Sequence, residues 1–286
     1  MIVKELTLTA PDYPERLRHM ADPPPQLYTL GCIVNELLMR PCVTVVGSRK
    51  VSAYGKTVTS ELVKNLTRAG IVIISGLALG VDSLAHTAAL DAGGLTIAVL
   101  PTSLDRIYPR SHHALAQRIL NQGGALLTEY KPNTPLYPSN FIARNRIAAG
   151  LSNAVLITEA AEHSGTLSTA RFALEQGKDL LAVPGNITSP TSAGTNNLIK
   201  AGAVPVTHAN DVLRALGLPD GAERVAPHGD TPEEQALLNL IYKGEQDGTA
   251  LLNASKQQVS VYNQTLTMLE IKGLIRPLGN NQWTLT

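Results

Sequence analysis

Three features of the sequence predict an α/β architecture, with a mostly parallel sheet as the main domain and a small helical domain after it. Short apolar runs recur roughly every 25–30 residues, a spacing that leaves room for a helix between successive strands. Helical patterns fill those gaps, and several of them close on a glycine, as at Gly70, Gly93 and Gly177. A polar, turn-rich stretch then begins at Gly217, in a chain of 286 residues that is long for one domain.

Taken in order, strands are expected at 43–47, 71–75, 96–100, 125–128, 154–158 and 180–183, and helices at 55–69, 81–92, 112–121, 140–151 and 167–176. The strands are apolar almost throughout instead of alternating, so helices must cover both faces of the sheet. In such folds a ligand sits in the crevice beyond the strands' carboxyl ends. The stretch GLPDGAERVAPHGDT has few apolar residues and reads as a linker, which divides the chain into 1–217, a linker at 218–231 and a second domain at 232–286. That domain opens on Thr231 as N-cap, Pro232 at the first helical position and two acids in the first turn, with Leu237, Leu238 and Ile241 on one face. A short helix in TALLNAS, a third helix at 259–273 and two strands around a Gly-Asn turn complete a winged helix-turn-helix outline.

Composition narrows the function classes. With 44% hydrophobic residues, 16% charged residues and a formal charge of +1, the chain is neither disordered nor a polybasic coat for DNA. The charge is unevenly spread: residues 41–200 hold 14 Lys/Arg against 9 Asp/Glu, whereas the flanks hold 10 against 14. A polyanion is therefore expected on the middle region. By contrast, residues 231–286 hold 4 Lys/Arg and 5 Asp/Glu, which suits protein contact better than duplex binding unless Lys256, Lys272 and Arg276 cluster on one face. Cys32 and Cys42 form no disulfide framework or zinc motif, and the first residues lack a signal peptide's apolar core. A soluble cytoplasmic protein with no membrane partner is expected.

The first strand runs into GSRKVSAYGKT. Gly55-Lys56-Thr57 resembles the end of a phosphate-binding loop, but Lys50 stands where that loop needs glycine, and the dinucleotide pattern G-x-G-x-x-G is absent, so no nucleotide cofactor is expected. Gly47, Ser48, Arg49 and Lys50 remain as a cationic turn suited to a phosphate. In SGLALGVDSLAH, Gly76 and Gly80 would let the backbone approach a ligand, while Asp82 and His86 suggest a helix-start acid and a hydrogen-bonded histidine more than a metal pair. The segment EYKPNTPLYPSNFIARNR interleaves Tyr130, Tyr137 and Phe141 with Lys131, Arg144 and Arg146, which suits single-stranded nucleic acid: bases stack on rings while cations hold phosphates. A core role for Phe141, with the arginines paired to carboxylates, fits the composition equally well. Ser164-Gly165-Thr166 and Gly194-Thr195-Asn196 each follow a strand and read as anion-receiving helix starts, or as plain N-caps.

Together GSR, SGLALGVDSLAH, VLPTSLDRIYP, NFIARNRIAAGLS, EAAEHSGTLSTARFALEQGK and VPGNITSPTSAGTNNLIKAGA closely resemble the DNA-processing protein A (DprA/Smf) family, with YPERL and DPPPQLYTLG extending the match upstream. The resemblance implies an extended Rossmann-like domain that binds single-stranded DNA without a cofactor, followed by a winged helix. It also implies a dimer that loads the RecA recombinase onto incoming strands in natural transformation, in competition with single-strand binding protein. By position, the family's GSR arginine is Arg49, its aromatic is Phe141 and the adjoining cations are Arg144 and Arg146. Lys50 and Lys131 are added on charge and position. Many members carry a helical SAM-like or helix-hairpin-helix domain in front, for which the residues before YPERL leave no room, and Leu79 stands where an arginine is frequent. Two other readings compete. A phosphoribohydrolase resemblance needs P-G-G-x-G-T-x-x-E, but Gly165-Thr166 is followed by Leu167-Ser168-Thr169, without the glutamate that acid-base chemistry requires. A winged-helix transcriptional regulator is opposed by that domain's charge.

Overall fold

The central sheet forms because its inner strands are nearly all apolar and buried on both faces. The computed structural model describes residues 2–219, 229–279 and 281–285. They belong to two compact units, 1–221 and 222–286. The first unit opens with β1 (Lys4–Thr7), α1 (Glu15–Arg18), β2 (Gln26–Gly31) and α2 (Val34–Leu38). The repeating part follows: β3 (Cys42–Val46), α3 (Ala53–Arg68), β4 (Val72–Ser75), α4 (Val81–Asp91), β5 (Thr96–Val99), α5 (His113–Asn121), β6 (Ala125–Thr128) and α6 (Pro138–Leu151). It ends with β7 (Ala154–Ile157), α7 (Leu167–Glu175), β8 (Asp179–Ala182), α8 (Ala193–Lys200), β9 (Val204–Pro205) and α9 (Ala209–Ala215). All six expected strands and all five expected helices are present within a residue or two.

The strands align in the order β1-β2-β6-β5-β4-β3-β7-β8-β9. From β6 to β9 all pairings are parallel, whereas β2 runs antiparallel to β6, and β1 antiparallel to β2. The chain builds outward from β3 to β6 and then returns to place β7 on the other side of β3. The carboxyl ends of β3 and β7 therefore frame the topological switch point, where α/β sheets open a crevice.

Successive side chains of each strand enter opposite layers. Val43, Val45 and Ile73 pack with Leu62 and Leu66 of α3 and Val81 and Ala88 of α4 on one face. On the other face, Val72, Ile74 and Val99 meet Ile147 and Leu151 of α6. β1 and β2 were not expected, since the charged KELT and the proline-flanked QLYTLG carry little apolar pattern. Tyr13, only 1% exposed, ties the segment between them down by donating its hydroxyl to the Pro24 carbonyl at 2.7 Å.

In the second unit α10 (Pro232–Tyr242), α11 (Gly248–Ser255) and α12 (Val259–Ile271) pack with the hairpin β10 (Ile275–Gly279) and β11 (Gln282–Leu285), a winged helix-turn-helix arrangement. Thr231 caps α10 by accepting the Glu234 N–H. Most of the linker expected at 218–231 lies outside the described residues. Gly229 and Asp230 already bond to α10, through the side chains of Gln235 and Glu234.

α4 is fixed to the sheet by an internal histidine. His86 is fully buried, and its Nδ1 lies 2.7 Å from the Thr96 hydroxyl, which itself donates to the Ile73 carbonyl. Nδ1 must then carry the proton. Burial, with Arg144 adding to it, lowers the His86 pKa to about 3. A depressed histidine contributes stability above its unfolded value near 6.5 and loses it as pH falls toward the folded value. Between pH 6.5 and 4, wild type should lose up to ~1.4 kcal/mol per pH unit more than His86→Asn, which keeps a donor toward Thr96. Hydrogen exchange of the β4 and β5 amides reads this difference, and equal slopes in the two proteins would contradict it.

Candidate nucleic-acid interface

The loop after β3 lies across the switch point and is held on both sides. Ser48 donates its N–H to the Glu159 carbonyl at 2.8 Å, and its own carbonyl accepts from Val81 N–H at 3.1 Å. Gly80, at φ 82°, lies directly against the Ser48 and Arg49 carbonyls, where any side chain would collide. The Ser48 hydroxyl closes the turn by bonding Lys50 N–H at 3.1 Å and Lys50 carbonyl at 2.9 Å. With its backbone fixed, the loop presents the Arg49 and Lys50 side chains to solvent.

Arg49 does not float free. Its guanidinium carbon stands 5.0 Å from the centroid of the Phe141 ring, a cation-π contact across 92 residues of sequence. Tyr108, from the loop after β5, meets Phe141 edge-on at 5.4 Å and 71°. Tyr108 is 41% exposed and Phe141 is half-buried, so a cation and two rings form one surface beyond the sheet's carboxyl edge. Phe141 is thus not simply a core residue. Tyr108 was not singled out from the sequence, although the chain has only eleven aromatics and IYP already stood within a recognised motif. The same loop carries exposed Arg106 and Arg110.

The two arginines beside Phe141 behave differently from Arg49. Arg144 is 4% exposed, and its guanidinium donates to the Gly76 and Val99 carbonyls and, at 3.1 Å, to Asn145 Oδ1. Asp82 lies 3.9 Å away and accepts the Gly76 N–H at 3.1 Å. Burial lowers the Arg144 pKa and raises that of Asp82, each offset by the other's charge. Arg146 pairs with Glu129 at 2.6 Å and Asp22 at 3.2 Å. The structure therefore places both guanidinium groups on protein partners, with Arg144 inside the fold and closed to a phosphate.

Gly76 was expected to approach a ligand, yet a side chain there would overlap the Arg144 guanidinium, so the close approach is to protein. Gly80 likewise serves the loop after β3. Asp82 and His86 have the helix-start and hydrogen-bonded roles expected of them. Lys131 stands exposed on the loop after β6, on the same sheet edge.

Ser164-Gly165-Thr166 joins the site through Thr166, whose hydroxyl donates to the Gly47 carbonyl at 3.0 Å. The Ser164 and Thr166 N–H groups are consumed within the turn, on the Ala161 carbonyl at 3.1 Å and the Ser164 hydroxyl at 3.2 Å. At Gly194-Thr195-Asn196 the Gly194 N–H meets the Ala160 carbonyl at 2.8 Å and Thr195 is buried. These turns brace the site more than they offer amides to an anion. The start of α3 is filled too: Glu159, 2% exposed, accepts the Ser52 N–H at 3.1 Å as well as the Ser52 hydroxyl, and lies hard against Gly55. The protein's own carboxylate occupies the position a phosphate-binding loop would give to phosphate.

A buried ion pair stripped of one partner typically costs about 3–5 kcal/mol. Arg144→Ala should lower stability by that order in urea titration followed by circular dichroism, and Gly76→Ala should also destabilise. An unchanged midpoint for Arg144→Ala would show that the guanidinium does not hold the strand ends.

The family model described as DNA recombination-mediator protein A matches residues 4–217. Protein Smf of Escherichia coli is 44% identical over 216 residues, covering 74% of this chain and 57% of its own length. The DNA processing protein DprA of Bacillus subtilis is 37% identical over 214 residues, covering 75% and 71%. Among solved structures, DNA processing protein A of Streptococcus pneumoniae superposes with a TM-score of 0.69 at 40% identity, covering 74% of this chain and 73% of its own. That of Helicobacter pylori, described for a unique single-stranded DNA binding mode, gives 0.67 at 35% identity, covering 75% and 95%. The chain spans little more than half of the Escherichia coli relative, and the matched part takes in the sheet, the loops that carry Arg49 and Tyr108, and the helix that carries Phe141. The chain belongs to the DNA recombination-mediator protein A family.

Proposed function

We propose that the protein is a non-enzymatic recombination mediator: it binds single-stranded DNA across the carboxyl edge of its sheet and loads the RecA recombinase onto that strand in natural transformation. The observation that carries the reading is the Arg49-Phe141-Tyr108 surface, a cation and two rings held together at the switch point. Bases stack on exposed rings for ~1–3 kcal/mol each, with little sequence preference. Arg49, Lys50 and Lys131 are the exposed cations that take phosphates, while Arg144 fixes the strand ends beneath them and Arg146 is held by Glu129 and Asp22. The Helicobacter pylori relative supports the ligand class through its single-stranded DNA binding mode. Glu159, whose backbone holds the Arg49 loop, spends its carboxylate on Ser52, a structural duty.

The second unit fits protein contact, within a dimer or toward RecA. Lys272 is held by Asp230 and Glu234, both at 2.7 Å, which leaves Lys243, Lys256 and Arg276 as the exposed cations among the described residues of an acidic unit. Competition with single-strand binding protein and work in the cytoplasm belong to the same proposal.

Arg49→Ala should weaken binding of single strands at moderate salt by about tenfold or more. It should also make the logarithmic salt dependence shallower by about 0.7, because one phosphate fewer is neutralised. Wild-type affinity in that variant would remove the site assignment. For the mediator role, the protein should accelerate RecA assembly on strands already covered by single-strand binding protein. No acceleration, with strand binding intact, would contradict it.

A further inference from the structure

Beside the Arg49 loop, on the same carboxyl edge of the sheet, lies a cleft of about 450 Å³ that the strand-binding surface does not use. Ser52, Tyr54, Pro184, Gly185, Ser189 and Thr191 form most of its wall. Its chemistry differs from that of the neighbouring site, for among the described residues no charged side chain lines it. Hydroxyls surround a floor of Pro184 and Gly185, and one aromatic ring stands at its side. Tyr54 is 49% exposed, yet its ring is fixed because its hydroxyl donates to the Pro184 carbonyl at 2.7 Å. Asn196 holds the floor, bonding both the N–H and the carbonyl of Gly185 at 3.1 Å. Elsewhere in the lining, the Ser189 and Thr191 hydroxyls lie 3.0 Å apart.

Such a cleft selects its ligand by elimination. A phosphate would find no cation among the lining residues, and a purely apolar group would leave the spare acceptor capacity of the hydroxyls, each already bonded once within the protein, unused. A flat aromatic ring with donors and acceptors on its rim satisfies both the Tyr54 face and the hydroxyl wall, and the volume lies in the usual range of about 300–1,000 Å³ for small-molecule sites. The cleft also shares its frame with the strand-binding loop. Glu159 pins both ends of that loop, with its carbonyl on Ser48 N–H and its carboxylate on Ser52. Arg49 and Tyr54 are five residues apart, so their Cα atoms lie no more than about 18 Å from one another. At a duplex-like rise of about 3.4 Å per nucleotide this is at most about five nucleotides of strand, and fewer when the strand is stretched.

We propose that this cleft is a second base-binding subsite, which takes one unstacked nucleobase of the strand held at Arg49 and stacks it on Tyr54, with the phosphates remaining outside on exposed cations. It rests on the single-stranded DNA reading above. Oligothymidylates carrying a single abasic residue at successive positions, titrated by fluorescence anisotropy at fixed salt, test it. With the wild-type protein, affinity should fall about five- to a hundredfold at one position within about five nucleotides of the base over Phe141, by the usual worth of a stacked base. Tyr54→Leu should weaken the intact strand by a similar factor and be without further effect on the strand abasic at that position, while Tyr54→Phe, which keeps the ring and loses only its tether to Pro184, should weaken it less. Ser189→Leu, which narrows the cleft at another lining residue and leaves Tyr54 in place, should repeat the Tyr54→Leu pattern.

If Tyr54→Leu and Ser189→Leu leave the intact strand bound as tightly as wild type, or weaken every abasic strand equally, the subsite is wrong while strand binding at Arg49 stands. If wild type fails to bind single strands, or Arg49→Ala changes nothing, the underlying reading fails instead.

Discussion

A guanidinium taken out of water must have its donors met by the protein, and Arg144 achieves this by gathering the ends of two strands. It donates to the carbonyls of Gly76 beyond β4 and Val99 at the end of β5, while Asp82 at the start of α4 balances its charge. The Phe141 ring lies one helical turn earlier on α6, so the arginine that anchors the helix also sets where that ring emerges. Gly76 gives up its side chain to make room for the guanidinium. Gly80 gives up its own for the loop that carries Arg49.

From this clamp the surface follows in steps. The strand order opens a crevice between β3 and β7, Glu159 seals the start of α3 and secures the loop after β3, and that loop projects Arg49 over Phe141. Cation-π attraction of this kind is worth about 0.5–1 kcal/mol at an exposed site. It is strong enough to prearrange the side chain and weak enough for a base to replace it. The site is thus rigid in its backbone and adaptable in its outermost cation, a combination suited to a flexible polymer bound without sequence preference.

Much of the fold was legible because near-continuous apolar runs such as 43–46 and 154–157 admit few alternatives once helices of matching length lie between them. β1 escaped because it is an edge strand and KELT carries a single buried residue, and β2 because its buried run of Leu27, Tyr28 and Thr29 is short and mixed in polarity. At the site, residue types were legible and partners were not. FIARNR showed two arginines and an aromatic, but whether a guanidinium faces solvent or a carbonyl depends on Gly76 and Val99, far away in sequence. The helical spacing of Phe141 and Arg144 was the available signal that the two share a face. Tyr108 could have been found by asking which of the few aromatics lay at a strand's carboxyl end.

The central claim is that single-stranded DNA lies over the carboxyl edge of the sheet. Photocrosslinking of 5-iodouracil oligonucleotides to the whole chain, with the attachment points mapped by mass spectrometry, tests it most directly. The account predicts crosslinks at Tyr108 and Phe141 and their immediate neighbours. Crosslinks confined to the second unit, or to the amino-terminal edge of the strands, would contradict it.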